Sequence, residues 1–268
     1  MKLISFYEIQ QWLDPTVRDT DVAKMTIVEA GVVADFEKEI GAKLVGVSAE
    51  IVYLDGGRNY LYLPHFNVSN VSVYEDTDRA FGSDTLLDSE DYQVYAERGV
   101  LRIGNLKKSD GDGISQLERY PAEWLFDDFF GGRQQFLSGR QVIKVQYDGG
   151  YSPASVVVGT DSKFYTCFIS HTAASANKPI TGANYSAYWV QGGADGATWT
   201  SGAAYSTGGL PEDLKLALLE QISYVWRRRN DPGLSSVTYP DGSVNKFQLK
   251  KFLSQVQVTL DAYRRTAI

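Results

Sequence analysis

The stretch "FYTCFISHTAASANKPITGANYSAYWV", residues 164–190, contains the only cysteine of the chain and one of its two histidines. Cys167 and His171 stand four residues apart, a spacing that would place both on one face of a helix. Such a pair suggests a thiolate nucleophile with its base, or half of a metal site. A nucleophilic cysteine needs an electropositive, partly exposed setting, and its histidine needs a third group to orient it. Neither is visible, because cations are scarce around this stretch. Zinc needs a tetrahedral ligand set, and His65 with carboxylates offers no recognisable spacing for one. Read instead as a strand, "KFYTCFISH" alternates. Phe164, Thr166, Phe168 and Ser170 share one face, and Tyr165, Cys167, Ile169 and His171 share the other. Cys167 then becomes a small buried hydrophobe.

Other chemistry-bearing residues are sparser. Asp110 and Asp112, each followed by a glycine, faintly resemble a calcium loop, but the glutamate such a loop requires is missing. Asp127 and Asp128 read as surface acids beside an aromatic cluster. No phosphate-cradling glycine loop, nucleophile elbow or zinc motif occurs. Tyr185, Tyr188, Trp189 and Trp199 admit two readings: an aromatic platform for sugar rings, or the core of a lobe too small to have another. Trp189 is assigned to the core, and Trp199 stays open between the two.

The totals narrow the classes. The chain has 268 residues, 43% apolar and 22% charged, which suits a globular protein with a substantial core. A net charge of −7 argues against general nucleic-acid binding, though not against a surface that DNA slides past. No apolar run is long enough to span a bilayer, and "MKLISFYEIQQWLD" has no signal-peptide core. With one cysteine, the expectation is a protein made and kept in a cytoplasm, and the N-x-S triplets at Asn67, Asn70 and Asn184 are then chance. Seventeen tyrosines suit half-buried sheets and subunit interfaces.

The elements that must position these residues change along the chain. "SFYEIQQWLD" puts Phe6, Ile9, Trp12 and Leu13 on one stripe, with Ser5 and Glu8 as a capping box. A second helix carries Val22, Met25, Val28, Val32, Val33, Phe36 and Ile40, and stops at Gly41. "AEIVYLDGGRNYLYLP" predicts a hairpin turning at Asp55-Gly56-Gly57. "VSNVSVYED", "DYQVYAERG", "VLRIG" and "GRQVIKVQYDGGYSP" read as further strands, with a turn at Glu97-Arg98-Gly99. The irregular, acidic and aromatic segment from Asn105 to Phe136 reads as a loop that contacts a neighbour. Residues 155–207 are almost free of charge. "LPEDLKLALLEQISYVWRRRND" then returns to helix, with acids at its start and Arg227, Arg228 and Arg229 at its end. After a turn at Pro240-Asp241-Gly242, a last helix places Phe252, Val256, Leu260 and Tyr263 on one side.

This order resembles the head–tail connector (adaptor) proteins of long-tailed bacteriophages and the similar gene-transfer-agent adaptors. The resemblance rests on the N-terminal helix pair, "YLDGGRNYLYLPHFNVSNVSVY", "IKVQYDGGYSP", "LPEDLKLALLEQISYVWRRRND" and the closing "LDAYRR". It implies a ring, typically dodecameric, in the virion neck, assembled in the host cytoplasm. One face would meet the portal, and the other a tail completion or tail terminator protein. In that family the Gly-Tyr strand end runs almost directly into the "LPEDLK" helix, and this chain departs from it at residues 155–207. There Tyr165, Cys167, His171, Thr172, Pro179, Tyr185, Tyr188 and Trp189 are similar to the skeleton of small chitin- and cellulose-binding modules.

The expected class is therefore α+β. A helical adaptor core with a small antiparallel sheet (1–154 and 208–268) carries an inserted all-β lobe (155–207). The expected function is structural and non-enzymatic: a ring adaptor that lets DNA pass without specific binding, with no cofactor, metal or membrane. Portal or partner contact is assigned to Arg227, Arg228, Arg229, Phe252, Val256, Leu260, Tyr263, Arg264 and Arg265. The rival readings are a carbohydrate-binding virion or tail protein, touching glycan through Tyr185, Tyr188 and Trp199, and a tail-associated hydrolase.

Overall fold

A computed structural model describes residues 3–13, 18–104, 135–194, 196–229, 236–238, 244–246 and 251–265. They form a mixed α+β protein that divides into two compact units, Met1–Leu44 with Tyr151–Ile268, and Val45–Gly150.

The first unit gathers helices from both ends of the chain. α1 (Phe6–Leu13) opens with the anticipated box: the Ser5 N–H donates to the Glu8 carboxylate at 2.9 Å, and the Glu8 N–H donates to Ser5 Oγ at 3.3 Å. It buries Phe6, Ile9 and Leu13 but leaves Trp12 46% exposed, outside the expected stripe. α2 (Val22–Ile40) buries Met25, Val32, Val33, Phe36 and Ile40 and stops at Gly41, whose φ of 77° is the left-handed stop glycine permits. α3 (Glu212–Arg227) packs against α1, α2 and α4 (Ser254–Tyr263). Its buried face is Leu214, Ala217, Leu218, Ile222 and Trp226.

One buried residue departs from the apolar pattern of α2. Glu29 is fully buried, and its carboxylate accepts the backbone N–H groups of Leu3 (2.9 Å) and Ile4 (3.2 Å). It satisfies donors that precede the first helical turn and would otherwise be orphaned in the core.

The second unit is a pair of three-stranded antiparallel sheets with one core. One sheet has the order β1 (Val47–Leu54), β6 (Ile143–Gly149), β3 (Ser69–Glu75). The other has the order β2 (Tyr60–Tyr62), β5 (Val100–Ile103), β4 (Tyr92–Tyr95). Leu61, Leu63, Val73, Leu101, Phe136, Ile143, Val145 and Tyr147 fill the space they enclose. The β4–β5 turn forms as the sequence predicts, with Gly99 left-handed at φ 59°.

The hairpin expected at Asp55-Gly56-Gly57 does not form, because β1 pairs with β6 and β2 with β5. Instead the Gly56 and Gly57 N–H groups donate to Gly139 and Phe136. Leu137 O lies only 1.6 Å from where a Gly56 Cβ would sit. The glycines are needed for close backbone approach at a corner between sheets.

Residues 155–207 lie within the first unit. β10 (Trp189–Gln191), β8 (Phe164–Cys167) and β7 (Val156–Val158) pair antiparallel, and β11 (Ala197–Thr198) joins β7 in parallel. β9 (His171–Thr172) and β12 (Ala204–Tyr205) form a separate two-stranded ladder. Later, β13 (Ser236–Thr238) pairs with β14 (Val244–Lys246). The turn expected between them at 240–242 lies outside the described residues, as does all but the end of the 105–136 segment, with Asp110, Asp112, Asp127 and Asp128.

Two glycines should respond in opposite directions. Gly150 has φ 81°, and a Cβ there would meet Val45 O at 2.4 Å. Gly150→Ala is therefore expected to cost about 2 kcal/mol or more in urea unfolding. Gly31 is helical with nothing within 4 Å of its added Cβ, so Gly31→Ala should stabilise by about 0.5–1 kcal/mol. Glu29→Leu, which orphans two buried N–H groups, should cost about 3 kcal/mol, and Glu29→Gln clearly less because it keeps one acceptor.

Candidate functional site

The cysteine and histidine do meet, by a different route from the one alternation suggested. β8 ends at Cys167, the chain bends, and His171 starts a strand in another ladder. Phe168 and Ile169 both point outward, 46% and 48% exposed, and Thr166 is buried beside Cys167. The bend brings His171 Nδ1 to 3.7 Å from Cys167 Sγ.

This contact is not a catalytic pair. Nδ1 lies 2.7 Å from the Ile169 carbonyl oxygen. A carbonyl only accepts, so Nδ1 carries the proton and cannot take one from sulfur. The thiol donates to the same carbonyl at 3.2 Å. Burial pushes the Cys167 thiol up to about 11, the opposite of what a nucleophile requires. Cys167 belongs with Val157, Tyr165 and Trp189 to a small buried core, the placement that the sequence predicts.

The His171 ring is enclosed by Tyr188 at 4.6 Å, Trp189 at 5.1 Å and Tyr205 at 5.8 Å between centroids. Trp189 is 3% exposed, and its indole N–H donates to the Asn177 carbonyl at 2.8 Å. The Asn177 side chain in turn accepts the Ala174 N–H and donates to the Thr172 carbonyl. Tyr185, Tyr188 and Trp199 are half-buried and pack on this core. Tyr185 stands edge-on to Tyr165, and Lys178 Nζ sits 5.5 Å from the Trp199 ring centre. These rings form the outer shell of the core. Elsewhere, His65 is buried with Nδ1 2.9 Å from the Tyr147 hydroxyl. Among the described residues no group of three His, Cys, Asp or Glu could hold a metal, and no helix is long and apolar enough to cross a membrane.

The residues assigned to partner contact are placed unevenly. Phe252, Val256 and Leu260 are buried in the chain's own core, with Phe252 edge-on to Phe36 at 5.7 Å. This corrects their assignment to a partner's groove: an apolar helix face buries itself on the nearest apolar surface, here α2 and α3. The Tyr263 hydroxyl donates to Asp213, Arg264 pairs with Glu39 and Asp261, and the Arg265 N–H donates to the Ile40 carbonyl. All three hold the last helix to the bundle. Arg229 donates to the Trp226 carbonyl at 2.8 Å and stacks 3.9 Å over its ring, capping α3. Arg228 folds over Tyr224, 5.3 Å from its ring centre, while Arg227 is exposed.

Arg227 and Arg228 border an open cleft of about 460 Å³, with Trp12, Glu220, Tyr224, Leu253 and Gln255. The sequence reading missed this cleft because it placed Trp12 in the core. The available signal was that Phe6, Ile9 and Leu13 already complete one helical stripe without Trp12.

No family model matches the sequence, and no curated protein matches it. Among solved structures, a chain from "Virion of native gene transfer agent (GTA) particle" is similar with a TM-score of 0.43 and 13% identity, over 98% of this chain and 89% of that one. A chain from "Neck of empty GTA particle computed with C6 symmetry" gives 0.41 and 12%, over 98% and 89%. A likeness this distant does not decide a function.

The raised thiol has two measurable consequences. Native Cys167 should alkylate at pH 8 about a thousandfold more slowly than its fully ionised thiolate would, and reaction should speed up sharply in urea. Because its folded value lies above the ordinary 9.0, its contribution to stability is complete below pH 9 and is lost as pH rises through about 11. A reactive native thiol would overturn this account.

Proposed function

We propose that this chain is a structural protein of a tailed-phage-like virion neck: a ring-forming adaptor between the portal and a tail completion or terminator protein, through which DNA passes. One observation carries the reading. The segments that lead into and out of residues 155–207 are hydrogen-bonded to each other: Ser155 N–H to Ser206 O at 2.8 Å, Ser206 N–H to Ser155 Oγ at 3.0 Å, and Gly209 N–H to Ser152 O at 3.2 Å. With the lobe removed, the Gly-Tyr end after β6 would run straight into the "LPEDLK" helix, the arrangement that the adaptor resemblance implies. The lobe is then an insertion that decorates the adaptor, built on its own small core. Ring closure needs two different faces of one subunit that fit each other, and an acidic chain offers passing DNA little to bind.

Joining Ala154 to Gly208 should leave a folded chain with the same helical circular dichroism and assembly behaviour. Loss of the helical bundle would show that the lobe is no insertion. Electron microscopy of the purified protein with and without portal should show rings, about twelvefold if the adaptor family's usual closure applies. A monomer that never joins a portal would sink the proposal.

A further inference from the structure

We propose that the cleft between α1 and α3 receives the acidic, aromatic segment at residues 121–130 of a second copy of this chain, and that this contact links neighbouring subunits. The inference deepens the ring reading and rests on it.

The cleft combines the three residue types that most often dominate protein–protein binding, Trp12, Tyr224 and the pair Arg227 and Arg228. Trp12 is 46% exposed, although the rest of the apolar face of α1 is buried. Leaving a tryptophan half in water forgoes burial that a partner could supply. Among the described residues that line it, the cleft sets two arginines beside one acid, Glu220, with Arg228 also donating to the Tyr224 hydroxyl, on a chain that carries −7 overall.

The occupant is identified by charge and shape. Residues 121–130 read "PAEWLFDDFF", with Glu123, Asp127 and Asp128, no base, and four aromatic side chains. They supply carboxylates for the guanidinium groups and rings for the space beside Trp12 and Leu253. A segment of one copy entering a cleft of the next is a heterologous contact, the kind that closes a ring when the rotation is right.

The test uses full-length chains. Trp12→Cys protein is mixed with Phe129→Cys protein under mild oxidant, and disulfide-linked heterodimers are counted. Position 12 is exposed, so the first variant should fold, and circular dichroism checks both. Heterodimers are expected in excess over like pairs. They should fall at least about tenfold when the cleft chain also carries Arg227→Asp and Arg228→Asp, and return when the other chain carries Asp127→Arg and Asp128→Arg. No excess of heterodimers, or no response to charge reversal, would overturn the contact. Portal binding lost on Arg227→Asp and Arg228→Asp with self-association intact would assign the cleft to the portal and also overturn it. Rings without heterodimers would leave the adaptor reading standing and reject this contact. Heterodimers without rings would do the reverse.

Discussion

The first unit exists only because the chain returns to where it left. α2 ends at Gly41, and Glu37 organises the exit: its carbonyl accepts the Gly41 N–H, and its carboxylate accepts the Leu44 N–H and pairs with Lys43. The Leu44 carbonyl then accepts the Tyr151 N–H at 2.7 Å. That bond closes a loop containing the whole of the Val45–Gly150 unit. A second closure follows at once, between Ser152 and Gly209 and between Ser155 and Ser206. Closing so long a loop costs little more than closing a short one, because the entropy grows only logarithmically with length. The larger cost of ordering each excursion is offset inside it, by the cluster around Leu101 and Val145 in one and by Val157, Cys167 and Trp189 in the other.

Once the closures hold, buried polar side chains fix how the helices converge. Glu29 ties residues 3 and 4 to α2 through two backbone bonds. Gln221, 3% exposed on α3, donates to the Lys251 carbonyl and accepts the Leu253 N–H, which docks the segment that leads into α4. In each case one side chain satisfies backbone groups of a segment distant in sequence, and only one docking geometry meets that demand. Apolar contact among Phe36, Trp226, Phe252, Val256 and Leu260 supplies most of the driving force but tolerates more than one arrangement.

The same distinction explains what could be read in advance. Local signals were legible: the Ser5–Glu8 box, the Gly41 stop, the acid-first α3 and the Gly99 turn each depend on residues within a few positions. Long-range pairing was not. Asp55-Gly56-Gly57 has the composition of a hairpin turn, yet nothing nearby reveals that β1 will find β6 and β2 will find β5. The stripe on α4 marks a face that must be buried, but periodicity does not show against what, and the acceptor is the chain's own bundle rather than a partner. Glu29 stood within the buried positions of α2, and that conflict with apolar spacing was the visible sign of a buried acid. At Cys167 the sequence shows the burial but not the geometry, because strict alternation stops at the bend after β8.

The distribution of charge follows from the same bundle. Several cations are used internally: Lys215 with Glu8, Lys251 with Asp35 and Arg264 with Glu39 each bridge elements, and Arg229 caps its own helix. A cation held against a carboxylate contributes little field at a distance, so the excess of 33 acids over 26 bases falls to the remaining surface. Salt-bridged lysines and arginines are poor candidates for phosphate contact, which must first break the existing pair. Arg227 is exposed and lines the cleft together with Trp12, Glu220 and Tyr224.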